Sequence, residues 1–407
     1  MKSVKLASIL FYLNSVFVVF CFVSCGSSPT EASSLLTADI RGGMDKPGLL
    51  GLGDEIKGVT FVPLEVTTDD ASLIDGVYDY AVTDRYIYVL PVKEPRIVLF
   101  DRQGRFIRTL VKEGQGPGEF RGILPCIQVD ERNDRLFLFS NNRVWEYTLE
   151  GEFIGQSPHE YSVIYMRHIG KDRFAAISFP FQPFNGGGFG LGLFSRKGDT
   201  IAIKNDFYSF LLPHEKSGFT TSIAPAYSDA QNSVLFKTGS NDTVFCISAD
   251  RISAACVLDL KNSDAEVIRS LDVTDMSNLR IEKKDPKDIF VQDMIEFPGH
   301  YYFRLLYNQG YYIASVDKKT GKTLVEKCVM PGSIYELADA NLQHGMQGTR
   351  SYRNFPVWGR VIKDELVQVV TPYELNLYKS LRSITIPQEL DLKGEEGNPV
   401  FVFYSLI

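Results

Sequence analysis

Pairs of short apolar segments, each pair joined by a polar turn, recur along the chain. The turn glycines of the first three pairs, Gly104, Gly151 and Gly198, follow one another at intervals of 47 residues. Short apolar runs bounded by turn residues are typical of β-strands, so each pair predicts a β-hairpin. The pairs are "IVLFDRQGRFIRTL" (97–110), "RVWEYTLEGEFIGQ" (143–156), "LGLFSRKGDTIAIK" (191–204), "DTVFCISADRISAACVL" (242–258) and "YYIASVDKKTGKTLVEKCV" (311–329).

Further strand-like segments lie between these hairpins, among them "RYIYVLP", "DRLFLFS" and "RFAAISF". Each repeating unit is therefore a four-stranded meander of about 40 to 50 residues, the length of one β-propeller blade. Helical periodicity is rare, and "TPYELNLYKSL" (371–381) is one of its exceptions.

Isolated strands near both ends of the chain predict how the ring closes. "GVTFVPLEV" (58–66) precedes the first full unit, and "NPVFVFYSLI" (398–407) ends the chain, with two more strands in 355–372. Because an open ring would leave edge strands unpaired, these segments are expected to share a blade. The sequence thus predicts an all-β fold, a six-bladed β-propeller of four-stranded antiparallel blades over residues 58–407, closed by shared N- and C-terminal strands.

The N-terminus has the layout of an export signal. Lys2 and Lys5 precede an apolar run that ends in "FVSC", which predicts a cleaved signal peptide over residues 1–24. The "FVSC" tetrapeptide resembles the lipobox of bacterial lipoproteins, with Phe22 where leucine is usual, and the resemblance implies lipidation of Cys25. A plain signal peptide or an uncleaved anchor is the alternative. Residues 25–57 are expected to carry the lipid and act as a flexible tether, on the periplasmic side of the outer membrane rather than at the cell surface.

Charge and cysteine content exclude several classes of function. The chain has 43 Lys and Arg against 50 Asp and Glu, a net charge of −7, so a nucleic-acid partner is not expected. Four cysteines follow Cys25 at irregular spacing without a CxxC pair, which argues against a zinc site and leaves free thiols favoured over a disulfide. They are Cys126, Cys246, Cys256 and Cys328.

Several segments together resemble the six-bladed β-propeller lipoproteins of the NHL-like, TolB-like group. The resemblance covers nearly the whole chain after Thr60, and it implies the fold and export but no defined reaction. The segments are "PLEVTTDDASLI", "RIVLFDRQGRFIRTLVKEGQGPGEF", "NDTVF" and "NPVFVFYSL".

The stretch "VKEGQGPGEF" (111–120) raises the question of a phosphate-binding loop. A Walker loop needs a lysine and a hydroxyl residue after its glycines, whereas Pro117-Gly118-Glu119-Phe120 follow here. A dinucleotide loop needs a helix next, but a strand pattern follows. We therefore interpret the stretch as a tight connection between blades, with Phe120 packed between sheets. A Glu119 carboxylate facing the central channel is the alternative.

Catalytic patterns are scarce. The five histidines have no HxxxH or HExxH spacing, and no GxSxG elbow occurs. No metal site or cofactor is expected, although scattered acidic residues leave open a calcium site at the channel, as in propeller lyases.

Two aromatic-rich segments are the candidate binding sites. "SFPFQPFNGGGFGLG" (178–192) places aromatic rings on a pliable loop of the third blade, suited to stacking on sugar faces or a peptide. "QGTRSYRNFPVW" (347–358) has a composition favoured at binding hot spots. Ordinary sheet packing is the alternative for both. The named candidates are Phe181, Phe184, Phe189, Arg350, Arg353 and Trp358.

The sequence as a whole predicts an exported, lipid-anchored propeller that binds without catalysis, with a glycan fragment or an envelope protein as partner. A calcium-dependent lyase or hydrolase working at the central channel is the alternative.

Overall fold

Six antiparallel sheets of four strands, one of them extended by a fifth strand, make up the protein. They are the blades of a six-bladed β-propeller, as predicted. The structure is a computed structural model. It describes residues 35–48, 50, 55–68, 71–122, 126–140, 143–159, 163–178, 181–182, 191–204, 210–211, 226–230, 232–237, 242–260, 289–308, 310–328, 359–380 and 397–407.

The first elements of the chain are β1 (Leu36–Ala38), helix α1 (Ile40–Asp45) and β2 (Ile56–Pro63). Blade 1 contains β3 (Val77–Val82), β4 (Tyr86–Pro91), β5 (Arg96–Asp101) and β6 (Phe106–Lys112). Blade 2 contains β7 (Cys126–Asp130), β8 (Arg135–Phe139), β9 (Arg143–Tyr147) and β10 (Phe153–Pro158), with a 3-10 turn at Glu131–Asn133. Blade 3 contains β11 (Val163–His168), β12 (Arg173–Ser178), β14 (Leu191–Ser195) and β15 (Thr200–Lys204). The short strands β13 (Phe181–Gln182) and β16 (Phe210–Leu211) pair with each other in parallel.

Blade 4 contains β17 (Ala226–Ala230), β18 (Ser233–Lys237), β19 (Thr243–Ser248) and β20 (Ile252–Leu258). Blade 5 contains β21 (Phe290–Glu296), β22 (His300–Tyr307), β23 (Gly310–Asp317) and β24 (Thr323–Cys328). Blade 6 combines β2 with β25 (Arg360–Ile362), β26 (Glu365–Val370) and β27 (Val400–Leu406). Helix α2 (Pro372–Ser380) follows β26, where the sequence predicts a helix.

Blade 6 closes the ring with strands from both ends of the chain. The N-terminal β2 pairs antiparallel with the C-terminal β27, with Val62 opposite Phe401, and β27 pairs in turn with β26. The order β2-β27-β26-β25 leaves no gap between the first and last blades. This confirms the predicted closure by shared terminal strands.

The hydrophobic core lies between neighbouring blades. In β5, Val98 and Phe100 belong to the cluster shared with blade 6, while Ile97 and Leu99 belong to the cluster shared with blade 2. Alternate residues of a strand point to opposite faces, so a strand buried on both faces reads as a continuous apolar run. The first strands of the blades contact one another around the centre, namely β3, β7, β11, β17, β21 and β25.

The regularly spaced glycines occupy the hairpin turns. Gly104, Gly151 and Gly198 have φ values of +82°, +89° and +91°, and each donates its N–H to a carbonyl three residues earlier. Only glycine adopts this left-handed region without a steric penalty. The interval of 47 residues therefore arises because the same turn occurs at the same place in three successive blades.

The segment that precedes β2 packs on the propeller, although the sequence predicts a flexible tether over 25–57. Strand β1 pairs in parallel with β20 as the fifth strand of blade 4, and helix α1 buries Ile40 completely. The Gly48 N–H donates to the Val325 carbonyl at 2.8 Å. The packed body therefore includes Leu36 and does not begin at Gly58.

Neither helix in the described ranges has the length and apolar character needed to cross a membrane. Cys126, Cys246 and Cys256 form no disulfide bond within the described residues, and the Cys126 thiol donates to the Met166 carbonyl at 3.0 Å. Burial raises the pKa of the Cys256 thiol to about 12, so this thiol is not reactive at neutral pH. The side chain of Cys328 lies outside the described part of the protein.

Candidate functional site

Most of the predicted site residues lie outside the described residues, namely Cys25, Phe184, Phe189, Arg350, Arg353 and Trp358. Only the backbone of Phe181 is described. It belongs to β13, which follows β12 and precedes β14 in the sequence, and it lies opposite Phe210 of β16. The predicted ligand-binding residues therefore lie almost entirely outside the described part of the chain, and their role stays a prediction.

A cavity of about 580 Å³ lies beside the glycine-rich connection between blades 1 and 2. Its volume is in the range of small-ligand pockets, about 300–1,000 Å³. One wall is the connection itself, and the other comes from β9 and β10 of blade 2. The lining residues are Gln115, Gly116, Pro117, Gly118, Glu119, Arg121, Gly122, Arg143, Trp145, Phe153 and Gln156.

Backbone hydrogen bonds fix the glycine-rich wall. The Gly114 N–H donates to the Phe120 carbonyl at 3.0 Å, and the Gly116 N–H donates to the Glu119 carboxylate at 2.7 Å. Gly118 has a φ of +79°, and Phe120 is completely buried between blades 1 and 2. The stretch is thus the predicted connection between blades, followed by strand β7. Glu119 lines this cavity beside β9 and β10, which corrects the alternative that places it at the central channel.

The opposite wall carries two aromatic rings and a guanidinium group. Trp145 on β9 is only 7% exposed, whereas Phe153 at the start of β10 is 44% exposed, and their ring centroids are 6.4 Å apart. Arg143 donates from Nη1 to the Gln156 Oε1 at 2.8 Å. Aromatic faces beside polar side chains are suited to ligands that have both apolar and polar surfaces, such as sugars.

The indole nitrogen of Trp145 is a buried donor without a partner. Trp145 Nε1 is inaccessible to solvent and has no hydrogen-bond acceptor among the described residues. A buried unpaired donor costs about 1–3 kcal/mol, so each such group in a folded protein calls for an explanation. Since Trp145 lines the cavity but its Nε1 is closed to solvent, the indole offers a ligand its ring surface and not its N–H.

The polar groups near the central channel hold the blades together. The buried Asp79 carboxylate accepts from the Ile127 N–H of blade 2 at 2.6 Å and forms an ion pair with Arg360 of blade 6. Burial raises the pKa of Asp79 although Arg360 acts in the opposite direction. Gln128 of blade 2 donates to the His168 carbonyl of blade 3 at 2.7 Å. These side chains are engaged in contacts between blades.

Metal-binding geometry is absent from the described ranges. No three Asp, Glu, His or Cys side chains in that part of the chain converge on a point that could hold a metal ion. The calcium site left open by the sequence has no set of ligands there.

Comparison with known families identifies the family of this chain. A family model described as a domain of unknown function, DUF4934, matches residues 35–405. The chain belongs to the DUF4934 family. The matched region begins with the segment that packs β1 and α1 on the propeller and ends in β27, so the DUF4934 domain includes all six blades and that N-terminal segment.

Solved structures are similar to this DUF4934 protein at low sequence identity, and one from Bacteroides fragilis shares its fold. A candidate exported protein from Bacteroides fragilis has a TM-score of 0.64 at 14% identity, with coverage of 91% of this chain and 99% of that one. A protein of unknown function from Bacteroides thetaiotaomicron has a TM-score of 0.36 at 12% identity, covering 66% of this chain and 63% of that one. One from Bacteroides caccae has a TM-score of 0.34 at 11% identity, covering 62% and 81%. A comparison with curated proteins found no match.

Two sequence signals could have pointed to the cavity of this DUF4934 protein. Phe153 is a large aromatic residue two positions after the turn glycine Gly151, at the start of the outermost strand of its blade. Trp145 is one of only two tryptophans in the chain. Neither signal shows that the two rings face a loop of another blade, which only the packing of blades 1 and 2 determines.

Proposed function

We propose that this protein is an exported, lipid-anchored binding module without catalytic activity, and that it binds a glycan fragment in the cavity between blades 1 and 2. The observation that carries the proposal is the cavity itself, which exposes the Phe153 ring beside the side chains of Arg121 and Arg143. Sugars offer hydroxyl acceptors and apolar ring faces, which suit guanidinium donors and an aromatic ring.

The composition of the cavity favours binding over hydrolysis. Glycoside hydrolysis generally uses two carboxyl groups that flank the bond to be broken. Among the described residues that line the cavity, Glu119 is the one acidic side chain, and it accepts a hydrogen bond from the Gly116 N–H. We therefore do not adopt the calcium-dependent lyase or hydrolase as a second candidate.

Export and anchoring are proposed from the N-terminal sequence. Lys2, Lys5 and the apolar run ending at Cys25 suit a signal peptide whose cleavage exposes a lipidated cysteine. A Cys25→Ala variant should lose metabolic labelling by a palmitate analogue and leave the membrane fraction. Labelling that persists in the variant would refute the anchor, and it would leave the binding proposal to be tested separately.

Binding is tested by calorimetric titration of the full-length protein, purified in detergent, with a panel of oligosaccharides. We expect at least one glycan class to bind and Phe153→Ala to weaken that binding about tenfold, because an exposed aromatic face contributes on the order of 1 kcal/mol to such contacts. The matched control is Ile154→Ala, since Ile154 is similarly exposed on the same strand but does not line the cavity. A panel without binding, or equal loss in both variants, would contradict the proposal.

A further inference from the structure

The hydrogen-bonding groups around the cavity are unevenly divided between donors and acceptors. Arg143 has five N–H donors, of which Nη1 is used by Gln156, and Arg121 donates only from Nε to the Gly114 carbonyl at 3.3 Å. Arg143 and Arg121, on the two facing walls, therefore retain donors for a ligand.

The side-chain acceptors around the same cavity are few, and each already accepts one hydrogen bond. The Glu119 carboxylate accepts from the Gly116 N–H and lies 3.8 Å from the Lys112 ammonium group. The Gln156 Oε1 accepts from Arg143, which leaves one lone pair on that oxygen and both amide N–H groups of Gln156 available. The free hydrogen-bonding capacity of these side chains is thus dominated by donors.

The local charge of the cavity opposes that of the whole chain. The chain has a net charge of −7, yet the lining contains two guanidinium groups and one carboxylate, whose charge Lys112 partly offsets. Guanidinium groups suit carboxylates because their N–H donors form a planar fork. A cavity of this kind is matched by a ligand that carries negative charge and offers acceptors.

We propose that the glycan bound in this cavity is acidic, with a sugar carboxylate of the uronic acid type held by Arg143 and Arg121. This inference rests on the proposed function and specifies its ligand class. The exposed Phe153 ring packs against the apolar face of a sugar ring. A neutral sugar would leave the guanidinium donors without a charged partner.

The test compares matched ligands on the full-length protein in detergent by calorimetry. Disaccharides that contain glucuronate, galacturonate or mannuronate are each paired with the same disaccharide after reduction of the carboxylate to the alcohol. We expect an acidic member to bind about tenfold more tightly than its reduced form, since charge-assisted hydrogen bonds are roughly twice as strong as neutral ones. Raising the salt concentration should narrow this difference, because salt screens exposed charges.

Variants then test whether the preference for the acidic disaccharide depends on the arginines of the cavity. Arg143→Gln should weaken binding of the acidic member about tenfold and leave the reduced form within about twofold. The control Arg105→Gln removes the same charge from an exposed arginine of blade 1 that is not part of the lining, and it should change neither affinity.

The outcomes separate the two proposals. If reduced and acidic forms bind equally and both bind less well to Phe153→Ala, the glycan proposal stands and the acidic-ligand inference is wrong. If an acidic preference persists unchanged in Arg143→Gln and in Arg121→Gln, the carboxylate is not held by these residues and the inference is also wrong. If no disaccharide and no larger member of the panel binds, the proposed function itself fails.

Discussion

Strand β9 presents different chemistry to its two neighbouring blades. Trp145 and Tyr147 belong to the cluster shared with blade 1, and their Nε1 and hydroxyl groups are buried without partners among the described residues. Glu146, on the other face, is equally buried, but its carboxylate accepts from Arg196 of blade 3, from Nε at 2.8 Å and from Nη2. One strand thus has unpaired donors on one side and a paired charge on the other.

The difference separates a contact that stabilises the ring from a surface that can receive a ligand. A buried charge without a partner costs several kcal/mol, so the face toward blade 3 requires Arg196. A neutral buried donor without a partner costs less, about 1–3 kcal/mol, so the face toward blade 1 tolerates unpaired groups beside the cavity. Hydrogen-bond satisfaction therefore distinguishes the two faces better than burial does, because both faces are buried.

The largest expected effect comes from removing the ion pair on the blade 3 face. Arg196→Ala leaves the Glu146 carboxylate, which is 5% exposed, with Arg135 Nε 3.9 Å away. We expect a loss of about 3 kcal/mol in the free energy of unfolding, measured by urea denaturation. The control Arg105→Ala breaks an exposed pair and should cost less than about 1 kcal/mol. Equal losses of unfolding free energy in both variants would show that the buried Glu146 ion pair stabilises the protein no more than the exposed pair does.

The next effect concerns the unpaired donors on the blade 1 face. Trp145→Phe replaces the indole at the cavity with a smaller ring and should weaken ligand binding about threefold, because part of the aromatic surface that lines the cavity is lost. Tyr147→Phe removes an unpaired hydroxyl that does not line the cavity, so it should leave affinity unchanged and stability unchanged or higher. Calorimetric titration and urea denaturation measure the two quantities. Equal ligand affinity in the two variants would show that the position of Trp145 at the cavity makes no difference to binding.

A smaller effect should follow from one glycine in the cavity wall. Gly118 has a φ of +79°, and a Cβ there would meet the Phe153 Cβ at 3.1 Å, whereas Gly198 has a φ of +91° and ordinary contact with the Pro158 carbonyl at 3.6 Å. Both Gly118→Ala and Gly198→Ala should destabilise the protein by about 1 kcal/mol because of backbone strain. Only Gly118→Ala should also lower ligand affinity, since it displaces Phe153. Unchanged affinity in Gly118→Ala would argue that Phe153 does not contact the ligand.

The smallest effect is a pH dependence of the blade 3 face. His168 stacks on Phe137 with ring centroids 5.0 Å apart, and burial lowers its pKa although the nearby Asp130 carboxylate raises it. The unfolded chain therefore binds this proton first as the pH falls through the ordinary histidine value of about 6.5, and stability falls below that pH. The slope should not exceed about 1.4 kcal/mol per pH unit.

The His168 contribution is measured as a difference between proteins. The raised pKa of Asp79 acts in the opposite sense at lower pH, because the folded state then binds that proton more readily than the unfolded chain. Urea denaturation of wild type and His168→Gln between pH 7 and about pH 5 isolates the histidine contribution. Identical pH profiles would show that His168 does not titrate differently on unfolding, and ligand affinity of the variant at neutral pH should match wild type.

The regular part of the fold could be predicted from residue pattern because it depends on local rules repeated in each blade. Gly104, Gly151 and Gly198 mark turns that require positive φ, and the apolar runs beside them mark strands buried on both faces. The pairing of β2 with β27 also followed from the sequence, since two orphan strands at opposite ends of a ring have one arrangement that leaves no edge unpaired. The packing of the segment that contains Ile40 was missed, because its few apolar residues form no clear period and its partners come from blades 4 and 5.

Residue pattern alone was enough to predict the propeller and its closure, because both rest on short segments and a fixed spacing. The tertiary structure alone decided where a ligand could bind. Trp145 and Phe153 come from blade 2 and Gly118 from the connection that precedes it, and nothing in their spacing shows that packing encloses a cavity between them. Whether a buried donor such as Trp145 Nε1 finds a partner depends on every atom around it in three dimensions, so no sequence pattern reports it.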